Sequence, residues 1–323
     1  MSNTLEGTSL HGTPLAAARA FPAIRPGSLH AWRIAIRPRT LLVAISPVLV
    51  GAALGFERVG SIDLIAALLV LGAALFMQIA TNLQNDVGYT LRGADRGGAR
   101  VGLPRATAQG WLSIRQVRVG ILLVAVAAIA LGLLLVAYRG WPVLLVGSIS
   151  LLAALAYMGG PKPIAYTPFG ELTVFLFFGI VAVIGTNWVL TGGCGFVTVL
   201  AAAAIGSLAS AALAVNNHRD REHDRSVGRR TFAVIHGEAG SRRLYGSLLL
   251  GPFLLVPLLA LGLHCAALLL PWLSLPFALR LRRRFLNCSG GAALNGILFS
   301  TFRLELAFAL LLAIGALLTR AQQ

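Results

Sequence analysis

Runs of about eighteen or more uncharged, mostly apolar residues recur along almost the whole chain; Val197–Val215 is one of them. Runs of that length read as segments that cross a lipid bilayer. In lipid every backbone polar group must be satisfied internally, so only helices and closed barrels are admissible. The runs are rich in Leu, Ala, Val and Ile with no two-residue alternation, which selects helices over a barrel. Nine candidate spans follow, over residues 40–56, 62–83, 117–138, 142–158, 171–191, 196–217, 244–263, 265–280 and 297–318. The expected fold class is all-α: a polytopic membrane protein of about nine transmembrane helices in one bundle. Residues 1–30 hold Gly, Pro, Ser and Thr without an apolar run and read as a flexible tail, leaving 31–323 as the transmembrane domain.

Charge placement orients the bundle. Only 12% of residues are charged, yet the net charge is +16. In a soluble protein that excess would invite a nucleic-acid reading; in a membrane protein the positive-inside rule accounts for it. With nine spans, 23 of the 27 Lys and Arg residues fall on one side, and Arg58, Arg139 and Arg320 on the other. This puts the N-terminus in the cytoplasm and the C-terminus on the opposite side of the cell (inner) membrane. No nucleic-acid partner is expected; the lipid bilayer is, and the sequence names no protein partner.

The chain has only eleven acidic residues, and five fall in two short windows. "NLQNDVGYTLRGADR" (82–96) holds Asp86 and Asp95, and "NNHRDREHDRSVGRRT" (216–231) holds Asp220, Glu222 and Asp224. Both windows begin with asparagines at the cytoplasmic end of a span. If the helix continues through the second window, Asn216, Asp220 and Asp224 lie on one stripe at i, i+4, i+8, and Glu222 points away. Carboxylates stacked at a membrane boundary need cations, and their hard oxygens suit Mg²⁺, which completes its shell with water and phosphate oxygens. Neighbouring arginines can grip further phosphate oxygens. Solvated topology anchors are the plain alternative for the same residues. His218 and His223 lack metal-ligand spacing and read as exposed loop residues.

The windows and several other stretches resemble the UbiA superfamily of intramembrane aromatic prenyltransferases. "RPRTLLVAISPVLVG" (37–51), "RVGLPRATAQGWLS" (100–113), "YMGGPKPIAYTPFGELTVFLFFG" (157–179), "NNHRDREHDRSVGRRTFAV" (216–234) and "LNGILFSTFRLEL" (294–306) carry the resemblance. They are most similar to the branch that prenylates 1,4-dihydroxy-2-naphthoate in menaquinone synthesis. The chain departs from the pattern at Tyr89, where the family usually has a second aspartate. A phenol with a pKa of about 10 is a poor Mg²⁺ ligand. That leaves open an active enzyme with altered metal geometry, a branch with other substrates, or a protein without turnover.

The resemblance implies transfer of a polyprenyl group from its diphosphate to the naphthoate, with loss of CO₂ and diphosphate and with Mg²⁺ as cofactor. It implies Asp86, Asp95, Asp220 and Asp224 as catalytic metal ligands. Asn82, Asn85, Arg92, Tyr157, Lys162, Asn216, Asn217, Arg219 and Arg229 would then contact the polyprenyl diphosphate or the aromatic acceptor. Glu171 is a further candidate near the acceptor. Another aromatic acceptor such as 4-hydroxybenzoate, a transporter, and a non-catalytic membrane protein are the alternative readings.

Overall fold

A computed structural model describes residues 24–93 and 102–322. Asp95 lies outside the described residues. Among them there are helices and loops and no strands. In chain order the α-helices are α1 (Leu29–Ile36), α2 (Leu42–Val59), α3 (Leu64–Leu91), α4 (Ile114–Arg139), α5 (Trp141–Ala156), α6 (Gly170–Val174), α7 (Gly185–Thr191), α8 (Phe196–Arg219), α9 (Arg221–Ser226), α10 (Phe232–Gly262), α11 (Leu275–Leu286) and α12 (Ala293–Ala321). A π-helical stretch, Phe175–Ile184, joins α6 to α7, so Gly170–Thr191 forms one continuous span.

Seven helical segments are long and apolar enough to cross a membrane, and the chain is a multi-pass membrane protein. The fourth and eighth expected spans are helical but shorter. α5 has 16 residues, about 24 Å at 1.5 Å per residue. The eighth divides into a nine-residue 3-10 helix, Ala266–Ser274, and the arginine-bearing α11. Pro271 inside the first piece and Pro276 at the start of the second break a regular α-helix there, since proline lacks the N–H that the ladder needs.

Local chemistry sets the helix ends. Ser113 and Gln116 cap α4 reciprocally, and the Asp63 carboxylate accepts from the Ala66 amide at 2.9 Å to start α3. Such caps satisfy donors that have no partner inside the helix. Gly60 and Gly192 end α2 and α7 at φ 74° and 75°, a conformation that glycine adopts without a Cβ clash.

α8 is the buried axis of the bundle, packed against α10, α12, α2 and the π-helical stretch. Its alanines at 201, 202, 204, 209, 211, 212 and 214 are buried. At Gly206 it meets Gly179: a Cβ on Gly179 would stand 2.5 Å from the Ala202 carbonyl oxygen. Small residues let membrane helices approach this closely, where dispersion must replace the hydrophobic effect as the driving force. α5 has no buried residue, and α4 exposes Leu122, Val126 and Leu133. This peripheral pair leans on α3 and leaves a space between itself and the α8 axis.

Candidate functional site

That space is a cavity of about 740 Å³. Its walls come from α2, α3, α4, α5, the Gly170–Thr191 span and α8, and they are apolar over most of their length, with Val70, Ala74, Ile129, Leu133, Val146, Phe178 and Val181 among the lining residues. Polar lining residues gather where α3 and α8 end: Arg37, Gln78, Asn82, Asn85, Tyr157, Asn216 and Arg219. The two windows picked out from the sequence therefore meet at one end of one cavity.

In the second window, α8 stops at Arg219 and α9 begins at Arg221, so the expected unbroken helix is interrupted at Asp220. The stacking survives because Asp220 N–H donates to the Asn216 carbonyl at 3.1 Å and Asp224 N–H to the Asp220 carbonyl at 2.7 Å. Each aspartate faces an arginine. Arg219 donates to Asp220 through Nε (2.8 Å) and Nη2 (2.7 Å), with Nη1 on the Asn295 amide oxygen at 2.7 Å and a further bond to Asn216. Arg229 Nη1 donates to Asp224 Oδ1 at 2.6 Å, while Nε and Nη2 hold the Ala165 carbonyl. Asp224 Oδ2 is buried with no donor. Burial raises the Asp224 pKa above the ordinary carboxylate value, and the Arg229 charge only partly offsets it. Glu222 is exposed, as its spacing from the two aspartates requires.

In the first window Asp86 is fully buried. Its carboxylate accepts from Ala106 N–H (3.0 Å), Thr107 N–H (2.8 Å) and the Thr107 hydroxyl, so it anchors the segment that follows the window. A carboxylate offers about four acceptor sites, which leaves one on Oδ2. Asn82 donates to the Ile36 carbonyl (2.8 Å) and to Thr40 Oγ1 (2.9 Å), pinning the turn between α1 and α2. Asn85 Oδ1 is buried and has no donor. Tyr89 is buried, with the Arg105 guanidinium 3.3 Å from its ring centroid and that of Arg229 at 5.0 Å on the same ring. Arg92 points elsewhere, onto the carbonyls of Met158 (2.9 Å) and Gly160.

Glu171, at the start of its span, is buried; Oε1 accepts from Asn217 Nδ2 at 3.0 Å, and Oε2 and Asn217 Oδ1 have no donor. Tyr157 lines the cavity with its hydroxyl beside Gly170. Lys162 is exposed on its loop. His218, expected in an exposed loop, is buried, with Nδ1 2.6 Å from Ser241 Oγ and its ring on Phe285. It belongs to the last turn of α8, which extends past the uncharged run. Arg37 and Arg105 were missed. Arg37 holds a left-handed φ of 55° at the cavity wall.

The buried oxygens of Asp224, Asn85 and Asn217 that lack donors are hard, and one or two carboxylates suffice for Mg²⁺. Among the described residues no three His, Cys, Asp or Glu cluster into a closed site. These oxygen donors suit a cation that fills the rest of its shell with water and phosphate oxygens.

The fold and site define a class: an intramembrane helical enzyme with an apolar cavity whose polar end is lined by Asn82, Asn85, Asn216 and Arg219, the last paired with Asp220. A solved UbiA homologue from Archaeoglobus fulgidus, bound to GPP and Mg²⁺, superimposes with a TM-score of 0.63 at 17% identity, over 88% of this chain and all of that one. The UbiA prenyltransferase family profile matches residues 44–302, and the chain belongs to that family. Among its relatives, the 1,4-dihydroxy-2-naphthoate octaprenyltransferase of Escherichia coli is 31% identical over 90% of this chain and 96% of that protein. The Mycobacterium tuberculosis protein of the same name is 35% identical over 90% and 97%.

Proposed function

We propose that this prenyltransferase moves a long polyprenyl group from its diphosphate to 1,4-dihydroxy-2-naphthoate, releasing diphosphate and CO₂. The observation that carries the reading is one apolar cavity whose polar end holds Arg219, itself paired with Asp220, one turn from the Asp224–Arg229 pair. An isoprenoid tail fits the first and a diphosphate the second. The named relatives supply the acceptor.

Allylic C–O cleavage sends the electron pair to the diphosphate and leaves positive charge on the prenyl carbon. A ring carbon of the acceptor forms the new C–C bond, and its carboxylate departs as CO₂. Groups fixed in advance against the leaving charge contribute most in such reactions. Arg219 and Arg229, now held by Asp220 and Asp224, are the guanidinium groups within reach. Asp220, Asp224, Asn216 and Asn217 would hold Mg²⁺, with Asp86 through its remaining lone pair, and Asn85 from the facing helix. When bound, the metal supplies charge neutralisation of the diphosphate. Arg219 and Arg229 carry further N–H donors that would meet phosphate oxygens at this end of the cavity. Tyr157 and Arg37 line the same end of the cavity and would orient the hydroxyl and carboxylate of the acceptor. The apolar walls keep water from the prenyl cation.

The site lies at the cytoplasmic face in this reading, with the N-terminus cytoplasmic and the C-terminus outside. The test is Mg²⁺-dependent diphosphate release from purified protein given a polyprenyl diphosphate and either 1,4-dihydroxy-2-naphthoate or 4-hydroxybenzoate. Release with the naphthoate alone is expected. Release with 4-hydroxybenzoate alone moves the protein to another branch, and release with neither, from folded protein, overturns the reading.

A further inference from the structure

Three glycines line the apolar part of the cavity on three different segments: Gly132 in α4, Gly147 in α5 and Gly185 at the start of α7. None has a positive φ, so no turn requires them. None is needed for close packing either, because a Cβ built at each meets no atom within 4 Å. Gly179 and Gly206 differ: a Cβ there would strike backbone at 2.5 and 2.7 Å. Glycine is the least favourable helix residue short of proline. What the three cavity glycines provide is volume on the wall.

A ligand is indicated independently at the other end, where the buried Asn85 Oδ1 on the wall has no donor and Asn216 and Arg219 face the same space. A molecule with a polar head fixed there extends its tail past the glycines. Counting along the helices from that end, Gly147 stands ten residues from Tyr157 and Gly185 fourteen from Glu171. At 1.5 Å per residue the depth of Gly147 is roughly 15 Å; the path to Gly185 runs through the π-helical Phe175–Ile184, which rises less per residue, so its depth is below roughly 20 Å.

We propose that Gly132, Gly147 and Gly185 set the length of the prenyl tail this enzyme accepts. The inference rests on the proposed function, in which the cavity holds the tail of a prenyl diphosphate. A bulky side chain at these positions shortens the usable donor and leaves the head site untouched.

The test compares wild type with Gly132→Leu, Gly147→Leu and Gly185→Leu in lipid nanodiscs. It measures kcat/KM for geranyl, farnesyl and octaprenyl diphosphate, and thermal stabilisation by the unreactive thiodiphosphate analogue of each. The leucine variants should keep the geranyl value and lose about tenfold or more with the octaprenyl donor, a discrimination ordinary for an apolar pocket. Stabilisation by the analogues should show the same loss with the octaprenyl compound and none with the geranyl one. A parallel fall with all donors, or an unchanged octaprenyl value, overturns the inference while leaving the proposed function standing. A wild type that neither transfers nor is stabilised by any donor overturns the proposed function, and this inference with it.

Discussion

Asp220 and Asp224 carry most of the chemical argument at the scale of single residues. Both are buried against arginines, so removing an arginine has a stability cost as well as a catalytic one. Breaking a buried pair by removing one partner costs about 3–5 kcal/mol, because the remaining charge is uncompensated. Asp224→Asn is expected to lower turnover by on the order of 10²-fold or more, and Arg229→Gln, which leaves the buried Asp224 charge unpaired, is expected to lower the melting temperature. The double variant Asp224→Asn, Arg229→Gln should recover part of the stability and none of the turnover, and paired assays of unfolding and diphosphate release check it. The Asp224 pKa also has a sign that can be tested. Folding raises it, so the ionised carboxylate opposes folding, and the group favours the metal-free fold most at low pH. That contribution falls away as pH rises through the folded pKa. A cation competes with the same proton, so Mg²⁺ affinity should rise with pH through a range above the ordinary carboxylate pKa of about 4. Calorimetric titration of Mg²⁺ with inorganic pyrophosphate across pH 4–8 checks this, and in Asp224→Asn that dependence should flatten.

Helices pack here by the presence or absence of single methyl groups. At Gly179 a Cβ would press on the Ala202 carbonyl and the Gly206 backbone, so Gly179→Ala forces the π-helical stretch away from α8. Overpacking of this kind costs about 1–3 kcal/mol, which should appear as a lower melting temperature. Gly185→Ala meets nothing and should gain about 0.4–1 kcal/mol from the unfolded chain's lost freedom. The two glycines lie six residues apart in one span and read alike in the sequence. Their difference lies in what stands opposite. The shortness of α5 and the break at Pro271 and Pro276 are effects of the same scale: apolar composition marked both stretches, but it did not report the 3-10 geometry that divides the second.

For the molecule as a whole, the arginine distribution gives an orientation that the native cysteines can test. Cys194 is exposed in the loop between α7 and α8, and Cys288 lies beyond α11. With the N-terminus cytoplasmic, a membrane-impermeant maleimide should label Cys194 in intact cells and Cys288 only after permeabilisation. The reverse pattern would invert the topology and put the acid–arginine cluster on the other side.

Much of this protein is legible in its sequence. Uncharged runs without two-residue alternation read as helices in lipid, and the shortage of acids made two windows stand out against the rest of the chain. Family resemblance then attached a chemistry to them. Spacing could place Asp220 and Asp224 on one stripe and turn Glu222 away, because those are local consequences of helical geometry. It could not show that Arg219 and Arg229 neutralise those aspartates, that Asp86 holds Ala106 and Thr107, or that Arg105 covers Tyr89. Nor could it show that His218 is buried, or that three ordinary-looking glycines share one wall. Those facts depend on which helices face each other, and facing is set by long-range packing around α8 that local periodicity does not encode.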